Sequence, residues 1–265
     1  MSNGEQRLRD AFAGAPGAAA LMPYMMGGFP SLEESMRIGA ACVQAGADVI
    51  ELGLPYSDPL ADGPVIHAAG TAALAAGASL AGVLEIARGL SESVPVVLMC
   101  YANMVYAPGT DAFLERAARA GVCGLIVPDL PHGEDPEVRA ACVRRGLALV
   151  PLVAPTTTDE RLARIGADAM GFLYTVAVVG TTGERRELGE RFAEIVARAR
   201  ASTEVPVALG FGISTAEHAA QAAAAGADGV IVGTRLVRAA GEGEDPAAAV
   251  GAVVAELAAG LHAAR

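Results

Sequence analysis

Two carboxylic acids have the type and spacing that acid–base chemistry needs. Glu51 interrupts an apolar run near its carboxyl end, and Asp62 stands in the Pro- and Gly-rich segment that follows. A lone carboxylate inside a buried strand is costly unless it is paired or takes part in a reaction. Because two carboxylates in different environments can carry the acid and base steps of one reaction, we predict that Glu51 and Asp62 form a catalytic pair. The alternative for Glu51 is a buried ion pair with an arginine of a neighbouring strand. Asp58 is a third acid in the same segment, and a turn residue before Pro59 is as good an explanation for it as a role in the reaction.

Small residues follow two later apolar runs and suit the binding of a phosphate group. Gly210-Phe-Gly-Ile-Ser214 follows one run, and Gly233-Thr234 follows the next. Backbone N–H groups at helix N-termini bind anions, and glycine lets the backbone approach them closely. We therefore predict a phosphate site here, over which Gly180-Thr-Thr-Gly183 could close. The alternative is that these are ordinary turn glycines.

The composition excludes several kinds of chemistry. All 19 basic residues are arginine, so the chain has no lysine to form a Schiff base, hold pyridoxal phosphate or complete a Walker-type loop. The four histidines and four cysteines have no metal-ligand spacing, so we predict no metal site and buried, reduced thiols. A net charge of −11 without a basic run argues against nucleic-acid binding. We see no membrane span and no export signal, and expect a cytoplasmic location.

A repeated pattern predicts the strands that must position these residues. A helix ends at a small-residue stop and an apolar, β-branched run follows, most clearly from Ala45, Ala120, Gly166 and Ala225. The glycine of each stop suits a left-handed helix C-cap, and continuous apolar runs are typical of strands covered on both faces. The remaining predicted strands are Leu21–Met26, Val94–Cys100, Leu147–Val153 and Val205–Gly210, which makes eight.

Helices are predicted between the strands. Ser31-Leu-Glu-Glu34 and Ser214-Thr-Ala-Glu217 have the pattern of capping boxes that open two of them. The N-terminal residues are expected to add a helix before the first strand. Other helices are predicted near Leu80–Leu90, Asp111–Ala120, Asp135–Arg145, Asp159–Ile165, Gly189–Ala201 and Pro246–Leu261.

Eight strands alternating with helices over 265 residues predict an α/β fold, a (β/α)₈ TIM barrel, with a doubly wound sheet as the alternative. We expect residues 1–265 to form a single barrel domain with an extra N-terminal helix. Long connections follow strands two and six, Pro55–Ser93 and Thr175–Pro206, and both would lie at the C-terminal face where barrels build active sites. Tyr101, Asp129 and Tyr174 end strands and would face the same mouth, although a tyrosine there can also be a core ring with a wet hydroxyl.

Taken together, these motifs resemble the family of the tryptophan synthase α subunit. The run from Glu51 to Pro64 is close to the family signature, and the likeness extends from Leu21 to Leu236. The other matching motifs are Pro23-Tyr24 with Gly28-Phe-Pro30, Tyr101-Ala-Asn103, Pro128-Asp129-Leu130-Pro131, Gly180-Thr-Thr-Gly183 and Gly210-Phe-Gly212. The resemblance implies a TIM barrel of tryptophan biosynthesis that splits indole-3-glycerol phosphate into indole and glyceraldehyde 3-phosphate, with no cofactor and no metal.

The resemblance also implies a role for each matching residue. Glu51 would move protons at indole C3 and at the glycerol hydroxyl, and Asp62 would stabilise the positive charge that develops on the ring nitrogen. The implied substrate contacts are Tyr24, Met99, Tyr101, Asp129 and Tyr174. The implied phosphate site consists of Gly183, Phe211, Gly212, Gly233 and Thr234.

The family implies a partner, a tryptophan synthase β subunit in an α2β2 complex, but two segments depart from its pattern. Ala177 and Thr181 stand where Ser and Val are common, Val178 where some members have Arg, and Arg235 where a small residue is usual. An apolar sixth loop favours closure without help and thus activity of the isolated chain. Three alternatives stay open: a stand-alone lyase that releases free indole, a subunit that mainly activates a pyridoxal-phosphate β subunit, and an isomerase-like barrel acting on a phosphorylated sugar.

Overall fold

The structure, a computed structural model, describes residues 3–176, 185–210 and 212–265, and only the backbone of residues 185–191. The described residues form nine strands, all paired in parallel. They are β1 (Ala20–Met26), β2 (Ile50–Gly53), β3 (Val96–Met99), β4 (Val122–Ile126), β5 (Ala148–Val150), β6 (Leu152–Val153), β7 (Leu173–Val176), β8 (Val207–Gly210) and β9 (Gly229–Val232).

Helices alternate with these strands and surround them. They are α1 (Gly4–Gly14), α2 (Leu32–Gln44), α3 (Pro64–Ala75), α4 (Leu80–Ser91), α5 (Ala102–Tyr106), α6 (Thr110–Arg119), α7 (Pro136–Arg144), α8 (Asp159–Ala167), α9 (Arg185–Arg200), α10 (Ala216–Ala224), α11 (Thr234–Gly241) and α12 (Pro246–Ala263). The predicted helices are all present, whereas α3, α5 and α11 were not predicted. Alanine-rich α3 lacks a polar stripe, and it begins at Pro64, whose fixed φ suits the first helical position.

The sheet closes into a nearly complete barrel at Pro151. The strand order is β5-β4-β3-β2-β1-β9-β8-β7-β6, so the two ends of the sheet, β5 and β6, are consecutive in the chain. The predicted strand Leu147–Val153 is interrupted at Pro151, because proline has no N–H to donate to a neighbouring strand. The Pro151 carbonyl still accepts a hydrogen bond from Tyr174 N at 3.0 Å. This order confirms the predicted barrel and excludes the doubly wound sheet.

Two layers of apolar side chains fill the barrel and its surroundings. One cluster lies inside the strands and includes Leu8 of α1, Met22, Val97 and Phe172, and a larger one packs the strands against the outer helices. Helix α1 closes the N-terminal end: Gly4 N donates to Gly146 O at 2.8 Å. The inside of the barrel is therefore packed, and open space remains at its C-terminal mouth.

Helix α12 is long and apolar enough, by length and composition, to cross a membrane. Its apolar side chains Val250, Val254, Leu257 and Leu261 are instead buried, where the helix packs against α2, α10 and α11. Burial against neighbouring helices accounts for this composition. All four cysteines are buried and free, as predicted.

The predicted helix ends are mostly confirmed, with two corrections. Gly46, Gly121 and Gly226 have positive φ angles at the stops, whereas Gly166 lies inside α8 and leaves room for the Ser202 carbonyl. Ser31 caps α2 as predicted. The second capping box is shifted by one residue: Thr215, not Ser214, is in the extended conformation and accepts from the backbone of α10.

Two copies of the repeat carry an aspartate that joins neighbouring strands. Asp48 N donates to Leu21 O at 2.9 Å, and Leu21 N donates back to Asp48 Oδ2 at 2.8 Å. Asp228 and Val207 exchange the same two bonds, at 2.8 Å and 2.9 Å, and Arg200 also pairs with Asp228. Each carboxylate therefore satisfies a backbone N–H at the N-terminal end of a strand.

We predict that Asp228→Ala destabilises the fold by about 1–3 kcal/mol, because the Val207 N–H then loses its acceptor. The measurement is the free energy of unfolding in urea. Asp159→Ala is the matched control, since its carboxylate pairs with Arg198 but is 89 % exposed, and it should cost at most about 1 kcal/mol. Equal losses in the two variants would contradict a special role for the strand-joining bond.

Candidate active site

A cavity of about 410 Å³ opens at the C-terminal mouth of the barrel. Its walls bring together residues from the strand ends of β1, β2, β3 and β7 and from the segments after β2, β8 and β9. The predicted site residues that line it are Tyr24, Glu51, Asp62, Met99, Tyr174, Gly212, Gly233 and Thr234. Gly183 and Phe211, with Ala177, Val178 and Thr181, lie outside the described residues.

Glu51 is buried in the wall of this cavity. It lies on β2 beside Tyr24 of β1 and Val97 of β3, and only 1 % of it is exposed. Among the described residues, Oε2 has no hydrogen-bond partner and no arginine pairs with the carboxylate, so the buried ion pair considered above is not formed there. Burial in an apolar setting disfavours the charged form and raises the pKa of Glu51 to about 8.

Two tyrosine rings flank Glu51, and two glycines make room for their hydroxyls. Burial, with the nearby Glu51, raises the pKa of Tyr24 and of Tyr174 well above the ordinary value, so both keep their protons. A Cβ at Gly210 would stand 2.5 Å from the Tyr174 hydroxyl, and one at Gly53 would collide with that of Tyr24. This role of Gly53 was not predicted, although a glycine within a strand signals a close approach.

Asp62 is held by the loop after β2 and by Tyr101. Burial raises the pKa of Asp62, and a hydrogen bond from Tyr101 opposes that rise. The Tyr101 hydroxyl also accepts from Ala61 N at 3.0 Å, and its ring stacks on Tyr56 with centroids 5.2 Å apart. Tyr101 therefore supports the loop that carries Asp62 and is not among the residues lining the cavity.

Asp129 is likewise absent from the cavity wall. Its Oδ1 accepts from Ala102 N at 2.8 Å, at the first residue of α5. A negative charge at a helix N-terminus is stabilising, so the structure gives Asp129 a role in holding α5 next to Tyr101. Its contact with substrate stays a prediction.

The opposite end of the cavity is built from loop backbone and helix starts. Gly212 has a φ of +79°, a conformation that favours glycine. Gly233 caps α11 and Thr234 begins that helix, so the cap residue offers no side-chain acceptor to the first N–H groups of α11. Such a helix start suits an anion. This wall also includes Ile213 and Ser214 of the predicted phosphate segment, together with Arg235 and Arg238, for which no role in binding was predicted.

An apolar patch also lines the cavity. It consists of Ile66 of α3, Met99 of β3 and Ile231 of β9. The arrangement can hold a flat apolar group beside two carboxyl groups and a phosphate. Within the described ranges, no group of three or more His, Cys, Asp or Glu side chains is placed to hold a metal ion.

Comparison with known proteins identifies the family. The family model of the tryptophan synthase alpha chain matches residues 11–264. This chain belongs to that family. The tryptophan synthase alpha chain of Methanosarcina acetivorans is 46 % identical over 242 residues, 91 % of this chain and 88 % of the relative. That of Prochlorococcus marinus is 48 % identical over 226 residues, 84 % and 82 % of the two chains.

Solved tryptophan synthase structures have the same fold. The Mycobacterium tuberculosis enzyme superposes with a TM-score of 0.88 and 39 % identity over 97 % of this chain and 98 % of that one. A chain of the a2b2 complex of Pyrococcus furiosus, whose structure is described as a basis of mutual activation, gives 0.85 and 36 % over 91 % and 98 %. The resemblance stated from the motifs is thus confirmed.

Burial of Glu51 makes stability depend on pH. Its pKa is raised from 4.5 to about 8, so its contribution to stability is full below pH 4.5 and is lost as pH rises through 8. We predict that the free energy of unfolding of the wild type, minus that of Glu51→Gln, decreases steadily from pH 5 to pH 8.5.

Urea unfolding at a series of pH values measures this difference. Glu85→Gln is the matched control, since Glu85 is an exposed residue of α4, and its difference should stay flat over the same range. A flat difference for Glu51→Gln as well would mean that Glu51 ionises normally in the fold.

Proposed function

We propose that this chain cleaves indole-3-glycerol phosphate into indole and glyceraldehyde 3-phosphate as a tryptophan synthase α chain. The observation that carries the proposal is Glu51, a buried carboxyl whose Oε2 has no hydrogen-bond partner in the described part of the chain and which shares one cavity with Asp62. Membership of the tryptophan synthase alpha chain family supports the same reaction. A carbon–carbon lyase needs a proton donor and a charge stabiliser, and these two groups supply them.

The reaction requires a proton that travels between two sites on the substrate. With a pKa of about 8, Glu51 is protonated at neutral pH and can donate to indole C3, which forms an indolenine cation. Asp62 stabilises the positive charge on the ring nitrogen. Glu51, now a carboxylate, takes the proton of the hydroxyl on the adjoining glycerol carbon. The bond from C3 to that carbon then breaks, its electrons restore the indole ring, and the aldehyde forms.

The rest of the cavity wall fits this chemistry. Ile66, Met99 and Ile231 offer an apolar surface for the indole ring and keep water from the reacting atoms. Tyr24 and Tyr174 stay protonated beside Glu51 and can donate hydrogen bonds to its carboxylate form. The apolar patch favours this substrate over a phosphorylated sugar, whose hydroxyl groups need polar partners.

The phosphate is proposed to lie between Gly212 and the start of α11. Gly233 and Thr234 would donate backbone N–H groups there, joined by Gly183 and Phe211 as the family resemblance implies. A helix N-terminus supplies this binding without a cation. No cofactor and no metal take part in the proposed mechanism.

A β subunit is the proposed partner, in an α2β2 complex located in the cytoplasm. The Pyrococcus furiosus neighbour is described as such a complex. In this chain Leu60, in the loop before Asp62, is 89 % exposed, and Tyr106 at the end of α5 is 42 % exposed. A partner that covered these two side chains would remove them from water.

We predict that Glu51→Gln lowers kcat for indole release about 10²–10⁴-fold, because the general acid is lost. Glu85→Gln is the control and should keep the wild-type rate. The assay is run with and without the cognate β subunit. A low basal rate that rises by orders of magnitude identifies an α subunit that depends on its partner, whereas an unchanged high rate identifies a stand-alone lyase. A Glu51→Gln variant that retains most of its kcat would exclude the assignment.

We predict that Gly233→Val weakens binding of glycerol 3-phosphate about tenfold or more. The φ of Gly233 is one that any residue can adopt, and its new side chain would crowd the start of α11, where a Cβ lies 3.5 Å from Tyr24 Cβ. Gly212 is less suitable, since its positive φ strains every other residue. Calorimetry in the presence of a chelator measures the affinity. Gly89→Ala, where a Cβ meets nothing within 4 Å, should bind normally. Unchanged binding by Gly233→Val, or a requirement for Mg²⁺, places the phosphate elsewhere.

A further inference from the structure

The guanidinium of Arg235 connects three parts of the anion-binding end of the cavity. Arg235 lies on the first turn of α11, and its Nη1 donates to the carbonyl of Ser214 at 2.6 Å. The two guanidinium nitrogens also bind both oxygens of Glu256 on α12, at 3.1 Å and 2.6 Å. The backbone of the loop after β8 is thereby tied to α11 and α12.

Glu256 extends this connection to a second helix start. Besides Arg235, its carboxylate accepts a hydrogen bond from the backbone of Ala216, the first residue of α10. Gly212 and Ser214 lie just before that residue and line the cavity. The loop and the first turns of α10 and α11 therefore share one ion pair.

The contacts of Arg235 fit a residue that holds the backbone in place, rather than one that attracts the phosphate by its charge. Glu256 neutralises the guanidinium in a two-pronged pair, and one of the same nitrogens also binds Ser214. A planar fork can make these three bonds together, whereas a lysine ammonium acts as a point charge.

The loop needs such a restraint. Gly212 is in the left-handed conformation, and glycine has more conformational freedom to lose than any other residue. If the loop already has its bound conformation before the ligand arrives, the binding free energy is not reduced by the entropy lost in ordering the loop.

We propose that Arg235, held by Glu256, is a positioning residue that fixes the backbone from Gly212 to Ser214 against the start of α11, so that both present N–H groups to one phosphate. The inference rests on the proposed function in taking this anion to be the phosphate of the substrate. It assigns Arg235 no contact with the reacting atoms.

The test measures binding and turnover separately in R235A, R235K and E256Q. Calorimetry with glycerol 3-phosphate gives Kd, and indole release gives KM and kcat. Losing one charge-assisted hydrogen bond corresponds to about a tenfold effect, so R235A should raise Kd and KM about tenfold and leave kcat nearly unchanged. R235K should not restore affinity, and R235A/E256Q should be no worse than R235A, because the two residues act as one unit.

Arg88 provides the matched control, because it forms a comparable pair with both oxygens of Glu85 on α4, outside the cavity. R88A should bind and turn over as the wild type does. Wild-type affinity in R235A, full rescue by R235K, or an equal loss in R88A would each overturn the proposal.

The two readouts also separate this inference from the proposed reaction. A wild-type chain that binds glycerol 3-phosphate and releases no indole contradicts the proposed lyase, while the effect of R235A on Kd still supports the positioning role. A wild-type chain that does not bind glycerol 3-phosphate overturns the positioning role itself.

Discussion

Glu51 keeps its proton at neutral pH because the barrel keeps water away from it. The pKa near 8 comes from burial, and that burial depends on structure around the whole ring of strands. Helix α1 closes the far end, a packed layer fills the inside, and Tyr24 and Tyr174 flank the carboxyl. If any of these let water reach Glu51, the acid would ionise and lose its capacity to donate.

The tyrosines can flank Glu51 only because the backbone beside them has no side chains. Gly53 and Gly210 end β2 and β8, each next to a strand that carries one of the two rings. In each case the hydroxyl occupies the place where a Cβ would stand. Packing of this kind fixes the rings and their hydroxyls in one position, which a site that moves one proton between two substrate atoms requires.

The barrel and the two carboxylates could be predicted because their signals are local. The repeat of helix stop and apolar run marks strands directly, and an acid within such a run is conspicuous. Strand ends reveal which rim a residue occupies, but not whether its side chain enters the cavity. Tyr101 and Asp129 lie at the predicted rim and bind the backbone of Ala61 and Ala102, and their contact with substrate stays a prediction. Helix α3 was missed because its alanine-rich sequence has no apolar periodicity. Arg235 stood out in the sequence, but its pairing with Glu256 could not be predicted because the two residues are distant in sequence.

The strand-joining aspartates Asp48 and Asp228 lie at the rim opposite the cavity. Contacts that stabilise the fold and side chains that are proposed to react thus lie at opposite ends of the barrel strands. Substitutions at one rim can therefore be made without disturbing the other. For protein engineers, the N-terminal rim is accordingly the place to gain thermal tolerance, and the C-terminal rim the place to alter which substrates are accepted.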